Sequence, residues 1–485
     1  MELHELIQQR ILKLKNLQES GIQGYGKPFA GHVDIGRVRE EFEAGKKVVI
    51  CGRLTAKRGH GKVVFADLRD ATGRIQLYIK ADGVGVDQFA ALENIEVADF
   101  LCAAGELFLT HTNEQTVKVE KFSVLAKALR PLPEKWHGLR DVEARYRQRY
   151  LDLVSNEDVR GVFLARSRII QSLRKTLDER GFLEVETPMM HPIAGGAAGR
   201  PFTTHHNEYD MDLFLRIAPE LYLKRLLVGG LDKVYEINRS FRNEGVSVKH
   251  NPEFTMLEAY CAYSDFEGMM HLCESLIVNA AQAVFGKLDF SFQGKEIDLT
   301  PPWKRVSFAD LVKEKFGIEP QDTPEAMLAK LKERGAARDV DVLSRTQINK
   351  IIEDTLEAGM SVNPTFVTDY YTSLCPLAKT KPDNPLLSER FELFIAGMEV
   401  GNAYSELNDP QEQRRRFEEE VRDPGESGQK TVDEEYVLAL EHGMPNAGGL
   451  GIGIDRLVML LTGQPSIREV ILFPLLRPGG NQEAA

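Results

Sequence analysis

Gly448-Gly449-Leu450-Gly451-Ile452-Gly453-Ile454-Asp455-Arg456 is the stretch that decides the fold of this 485-residue chain. Its glycines recur at 449, 451 and 453, which fails the spacing of a dinucleotide-binding loop. Successive side chains of a strand point to opposite faces, so these three glycines share one face and leave it as bare backbone. A planar ring can approach such a face. The following residues, Asp455 to Leu461, predict a helix with Arg456 near its N-terminus. Alone, the run also suits tight strand packing.

Upstream lies the densest polar cluster: Phe241-Arg242-Asn243-Glu244, then His250-Asn251-Pro252-Glu253-Phe254, then Glu258 and Tyr260. Arg242 brings a fixed cation with a planar fork suited to phosphate or carboxylate. Phe254 offers a flat face for a base. Arg216 to Glu220 precede this cluster, and Glu392, Glu399, Asn402 and Glu406 follow it. A structural ion-pair network is one reading. A surplus of acids beside such arginines points instead to Mg²⁺ and a cationic substrate.

Composition bounds the rest. With 61 Lys+Arg against 73 Asp+Glu the formal net charge is −12, and 42% of residues are hydrophobic. That argues against a mainly disordered chain and against a surface that coats nucleic acid throughout. Residues 37–80 nevertheless carry eleven Lys/Arg and five Asp/Glu, a net of +6, while residues 406–441 carry five and twelve, a net of −7. No window approaches the ~18 apolar residues of a membrane helix. Five widely spaced cysteines (51, 102, 261, 273, 375) contain no CxxC, so neither a zinc ribbon nor a disulfide framework is encoded. The N-terminus reads as a short amphipathic docking helix over Met1–Leu17, not as a signal peptide. A cytoplasmic protein is expected.

The pattern from about Lys47 to Lys127 is β, with a glycine-rich hairpin zone at Gly59 and Gly61; five short strands there suggest a small barrel. After Pro131 and Pro133 comes a basic hinge, Arg140–Arg149, and then mixed α and β. Ala165–Arg180 has helical periodicity up to Gly181. Ser307 with Asp310 starts another helix that Gly317 stops, and Thr323-Pro324 opens one that runs to Gly335. Gly479–Ala485 reads as a frayed tail.

Taken in order, the pieces resemble class II aminoacyl-tRNA synthetases. Gly181-Phe182-Leu183-Glu184-Val185-Glu186-Thr187-Pro188 resembles motif 1, Phe241 through Glu258 motif 2, and Gly449 through Arg456 motif 3. Ala218-Pro219-Glu220-Leu221-Tyr222-Leu223-Lys224, His250 to Phe254, Gly401 to Asp409, Ala128 to Pro133 and Arg145 to Tyr150 are similar to the lysyl-tRNA synthetases of this class, bacterial type. The resemblance covers nearly the whole chain. It implies an α+β fold: an N-terminal OB-fold β-barrel, and a class II antiparallel-sheet catalytic domain flanked by helices. The expected division is an N-terminal helix and turn (1–30), an OB-fold anticodon-binding domain (31–140), a basic hinge (141–160) and a catalytic domain (161–485) with a mainly helical insertion at about 265–360.

The same resemblance implies ATP, L-lysine, tRNA(Lys) and Mg²⁺ as ligands, and a homodimer built on motif 1. Arg242 and Arg456 would be catalytic. Glu244, His250, Asn251 and Phe254 would hold ATP with them, and Glu392 and Glu399 would hold Mg²⁺. Glu406 and Tyr260 would take the lysine ε-ammonium, Glu220 and a backbone group near Gly196 the α-amino group, and Asn402 the carboxylate; Glu258 and Tyr404 complete the pocket. Arg58, Phe65, Gln76 and Glu120 would meet the anticodon. The seven-residue spacing of Glu392 and Glu399 puts them on opposite faces of one strand or on one face of a helix, so joint ligation requires a helix or a bulge. Lys249 departs from the family, whose bacterial members usually carry Arg there.

Three other readings compete. Lysyl-synthetase-like enzymes that modify a translation elongation factor lack the barrel. Aspartyl or asparaginyl synthetases share it, but Glu220 and Glu406 oppose an anionic substrate. A non-catalytic regulatory paralogue would have no need of Arg242, Glu399 and Arg456.

Overall fold

The computed structural model describes residues 3–133, 139–196, 199–337, 345–357, 359–422 and 431–477. The expected tail at Gly479–Ala485 lies outside these residues. Two compact units separate, residues 3–145 with 150–155, and residues 146–149 with 156–477.

In the first unit, helix α1 (Leu3–Glu19) precedes five strands: β1 (Lys47–His60), β2 (Val63–Arg69), β3 (Arg74–Lys80), β4 (Phe100–Leu109) and β5 (Gln115–Ala126). They close into a barrel in the order β1-β2-β3-β5-β4. β1 spans 14 residues and β5 spans 12, longer than the short strands expected, because each bends past a register shift to pair with two neighbours. Alternate residues fill the inside, as with Val64, Ala66 and Leu68 on β2 and Ile75, Leu77 and Ile79 on β3. Arg10 of α1 donates to the Ala128 carbonyl at 3.0 Å and pairs with Glu96 at 3.3 Å. Leu17 of the same helix is fully buried in the barrel core.

In the second unit, the helix expected from Ala165 begins at Glu157; this helix, α2 (Glu157–Glu179), has Asn156 at its N-cap position. Then follow β6 (Leu183–Glu184), α3 (Glu220–Val228), β7 (Lys233–Phe241), β8 (Glu253–Ala262), α4 (Phe266–Phe285), β9 (Lys304–Ser307), β10 (Thr365–Thr368), β11 (Arg390–Ile395), β12 (Met398–Ser405), β13 (Ala447–Gly453) and α5 (Ile454–Thr462). Among the described residues the strands form an eight-stranded sheet, in the order β9-β10-β11-β12-β13-β8-β7-β6. The pairs β6–β7 and β9–β10 are parallel and the rest antiparallel. Helices α2, α4 and α5 bury apolar faces against it, with Leu173, Leu276, Ile277 and Leu457 fully enclosed.

A separate apolar cluster gathers the helices Phe308–Phe316, Pro324–Glu333 and Arg345–Glu357 around Tyr370 and Tyr371. Their caps follow the sequence. Ser307 accepts from the Asp310 amide, Thr323 accepts from the Ala326 amide, and Gly317 ends its helix at φ 69°.

All five cysteines are free; four are buried and Cys51 is half-buried.

Candidate active site

The glycine strand sits where its alternation placed it. β13 lies between β8 and β12, with Gly449 opposite Tyr260 on one side and Tyr404 on the other, and Gly451 opposite Glu258 and Asn402. A Cβ at Gly449 would overlap Glu406 Oε1 and the Tyr260 ring, and one at Gly451 would crowd Met256 and Asn402. Gly448, on the other face, is pressed against Asp265 and Met269 of the α4 start. The bare glycine face thus opens toward Tyr260, Asn402, Tyr404 and Glu406, four of the residues expected to hold lysine.

Glu220 opens α3, and Lys224 lies one turn later. The Lys224 ammonium meets Glu220 Oε1 at 2.6 Å and also contacts Glu406 Oε2. Lys224 and Glu406 are both fully buried. Burial works against that ammonium, but the two carboxylates outweigh it and hold it well above the ordinary lysine range. Burial likewise pushes the Glu406 carboxyl up, with Lys224 opposing. Glu406 Oε1 has no hydrogen-bond partner. Tyr260 donates to Glu258 Oε2 at 3.2 Å, and burial, reinforced by Glu220, pushes Glu258 up to about 8. Gly196 takes φ 88°, within 4 Å of Ala218 if it bore a Cβ. The motif around Lys224 gives that residue no role in the sequence; an (i, i+4) Glu–Lys pair on a helix is the signal it carries.

The residues expected to hold ATP gather on the connection after β7, on β8 and on α5. Arg242 follows β7, its amide donates to the Pro252 carbonyl at 2.8 Å, and its guanidinium lies 5.2 Å from the Phe254 ring centroid. Its Nε is buried without a hydrogen-bond acceptor. Arg456 donates to the Glu399 carbonyl oxygen at 2.7 Å and lies 3.1 Å from His250 Nε2. Asp455 fixes this helix start: its carboxylate accepts from the Thr255 amide at 2.7 Å and pairs with Arg166 at 2.6 Å. Asn251 donates through Nδ2 to the Glu253 carbonyl at 2.7 Å, and Glu244 is exposed on the connection between β7 and β8. Lys249 donates to the Gly397 carbonyl at 3.0 Å.

Glu392 and Glu399 share neither a helix nor a strand. They stand on β11 and β12, joined by Ala396-Gly397 at φ 52° and 72°, with a register shift between Leu393 and Phe394. Glu392 pairs with Arg390 and accepts from the Tyr370 hydroxyl at 2.7 Å. Glu399 accepts from Asn402 at 3.3 Å. Burial pushes Glu392 up and Glu399 adds to this; at Glu399 burial is outweighed by Arg456, Arg390 and Arg242, so its carboxyl falls. Glu353, a residue sequence reasoning passed over, is pushed up to about 8 by burial and the charge of Glu392. Among the described residues no group of three His, Cys, Asp or Glu is arranged to hold a metal.

On the barrel, Phe65 is half-buried and lies outside the apolar core. Arg58, Phe65 and Tyr78 stand opposite one another across β1, β2 and β3. Phe65 and Tyr78 rings are 5.3 Å apart, Tyr78 and Phe108 rings 5.7 Å. Gln76 shares the outward face of β3 with Tyr78 and accepts from Thr116 at 3.1 Å. Glu120 pairs with Lys47 at the start of β1, while Arg58 lies near that strand's end. Tyr78 and Phe108 were missed, although Arg74-Ile75-Gln76-Leu77-Tyr78 alternates as an outward polar face would.

Comparison with known proteins agrees along the chain. Residues 141–477 match the family model "tRNA synthetases class II (D, K and N)", and residues 48–125 match "OB-fold nucleic acid binding domain". The lysine–tRNA ligase of Carboxydothermus hydrogenoformans is 52% identical over 483 residues, 98% of this chain and 99% of that protein. Those of Moorella thermoacetica (51%, 98% of each chain) and Clostridium perfringens strain ATCC 13124 (47%, 98% of this chain and 97% of that protein) are similar over the same extent.

Proposed function

This chain belongs to the class II tRNA synthetases of the D, K and N group and, within them, to the lysine–tRNA ligases, and from that premise we propose which residues carry the reaction. Lysine's carboxylate attacks the α-phosphorus of ATP; the new O–P bond gives lysyl-adenylate, and the broken bond releases diphosphate. A hydroxyl of the terminal adenosine of tRNA(Lys), the 3′-OH, then takes the lysyl group and AMP leaves. Both reacting groups of the first step are anions, so positioning and charge neutralisation dominate.

Arg242 bridges the lysine carboxylate and the α-phosphate. Its buried Nε without an acceptor supports this, since such a donor calls for an anion. Phe254 and Arg456 flank the adenine, with Glu244, His250 and Asn251 beside the nucleotide. Glu406 and Tyr260 receive the ε-ammonium, Glu220 and the backbone at Gly196 the α-amino group, and Asn402 the carboxylate, with Glu258 and Tyr404 lining the pocket. The observation that carries the lysine assignment is the buried, unpartnered Glu406 Oε1 above the bare face of Gly449. Arg58, Phe65, Gln76 and Glu120 contact the anticodon, for which the Phe65–Tyr78 ring pair is a stacking platform.

The Glu399 charge helps to raise the nearby Glu392 carboxyl, and a divalent cation between the two would relieve that repulsion. Glu392 and Glu399 would hold Mg²⁺, which neutralises phosphate charge when bound. The unit also exposes Leu183, Met189, Met190 and Tyr209 around motif 1, an apolar set suited to a twofold partner. A homodimer and a cytoplasmic location belong to this reading; among the described residues no helix is long and apolar enough to cross a membrane.

The test is exchange of labelled diphosphate into ATP by the purified full-length protein. Exchange that requires lysine and Mg²⁺, with lysylation of tRNA on its addition, is expected. No lysine-dependent exchange would overturn the assignment, and exchange without tRNA lysylation would favour an enzyme that modifies another acceptor.

A further inference from the structure

A pocket built to receive an ammonium already contains one. Lys224 is fully buried, and its Nζ spans Glu220 Oε1 and Glu406 Oε2, the carboxylates proposed above for the two amino groups of the substrate. Around it stand Glu220 from its own helix α3, Tyr404 of β12 with its ring 6.0 Å away, Glu406 just beyond β12, and Tyr436 from the helix Glu434–Glu441. Glu258 and Tyr260 of β8 face these carboxylates, Arg390 lies 5.8 Å from the Tyr404 ring, and Glu236 and Arg216 act on Glu258. Without a cation, two enclosed carboxylates repel and one takes up a proton, which a substrate ammonium would then have to displace. Lys224 opposes that proton uptake, although burial still leaves the Glu406 carboxyl at about 8. Glu406 is also oriented by the contact: Oε2 forms the ion pair with Lys224 and Oε1 lies over Gly449, and neither oxygen has a hydrogen-bond partner.

Resting on the ligase reading, we propose that Lys224 is a positioning residue for the lysine substrate: its ammonium anchors Glu220 and Glu406, favours the ionised form of Glu406 over the protonated one, and turns Glu406 Oε1 toward the substrate ε-ammonium. This goes beyond the carboxylate contacts themselves, because it makes lysine recognition depend on a cation of the enzyme. The sign of the pH effect follows. Removing Lys224 removes a charge that lowers the Glu406 pKa, so the protonated, non-binding form persists to higher pH.

Diphosphate exchange measured at varied lysine and varied ATP, from about pH 7 to pH 9.5, tests this on the intact enzyme with Lys224→Met and Lys224→Arg, a window that brackets the Glu406 carboxyl at about 8. The methionine variant is expected to raise the lysine KM at least about tenfold at the acidic end, corresponding to about one unit in the carboxyl pKa. That deficit shrinks as pH rises, and the ATP KM stays within about twofold. The arginine variant keeps the cation and is expected to keep the wild-type pH profile. A deficit equal at all pH values, or a parallel rise of both KM values, marks a merely structural role and overturns the proposal. Where the methionine variant does not fold, the arginine variant decides: a retained profile supports the charge role, and a folded arginine variant that has lost lysine use overturns it. Absence of lysine-dependent exchange in the unmutated enzyme would strike the ligase reading itself, before any variant is compared, and this inference with it.

Discussion

Gly449 stands directly opposite Tyr260 in the ladder between β13 and β8, with no side chain between that ring and the Glu406 carboxylate. A methyl group at 449 would overlap both. Gly449→Ala is therefore expected to reduce kcat/KM for lysine about 5- to 150-fold, the range set by ~1–3 kcal/mol of overpacking. The ATP KM should change little, because the nucleotide-side residues are reached from Gly453 onward. Steady-state diphosphate exchange with each substrate varied in turn checks the split; equal loss for lysine and ATP would contradict the placement.

Glu406→Gln keeps the shape and removes the charge. An uncompensated buried ammonium costs ~3–5 kcal/mol, so kcat/KM for lysine should fall by about two to four orders of magnitude. Lys224 retains Glu220, so the fold should hold, and a thermal melt run beside the kinetics separates lost recognition from lost structure. A variant that binds ATP as poorly as it binds lysine would remove Glu406 from the ammonium role.

Glu258 supplies a pH-dependent stability test. Its folded pKa, about 8, lies above its ordinary value of 4.5, chiefly through burial. Between these values the folded protein holds a proton that the unfolded chain has released, so this residue's contribution to stability falls as pH rises through that window. Glu258→Gln leaves an acceptor for the Tyr260 hydroxyl and removes the titration. Denaturant melts at about pH 5 and pH 8 should show the variant gaining on the wild type at the higher pH, by one to a few kcal/mol at roughly 1.4 kcal/mol per unit. A gap that is constant with pH would show that Glu258 does not titrate in this range.

Phe65 lies outside the barrel core, so its removal should spare the barrel. Base stacking on an aromatic ring is worth ~1–3 kcal/mol. Phe65→Ala should thus raise the KM for tRNA about 5- to 150-fold in aminoacylation while diphosphate exchange, which needs no tRNA, is unchanged. A loss of exchange as large as the loss of aminoacylation would argue against an anticodon contact.

What the sequence made legible is what its local patterns encode. Alternating glycines placed Gly449 and Gly451 on one face because a strand has period two, and the ladders with β8 and β12 keep that face against the pocket. The caps at Ser307 and Thr323 were equally local. Lys224 was not legible as a pocket residue, because one of its partners is a helical turn away and the other, Glu406, arrives from beyond β12. The relation of Glu392 to Glu399 escaped for another reason. Seven residues of separation read as one element hide a hairpin, and the turn at Ala396-Gly397 was the signal that their segment doubles back. Glu353 comes from a helix in the separate cluster and acts on this pair only through tertiary packing.

The anchoring of Asp455 by Thr255 and Arg166 also makes the stretch from Gly449 to Arg456 a fixed gauge. Its strand part, Gly449 to Gly453, spans ~13 Å at ~3.3 Å per residue, and its far end cannot slide because the helix start is clamped to β8 and α2. On the proposed lysine assignment, the reach from Gly449 to Arg456 is then set by covalent spacing in the main chain. One residue inserted between 449 and 453 would turn the glycine face inside out, whereas lengthened connections among the helices from Phe308 to Glu357 would leave the gauge untouched.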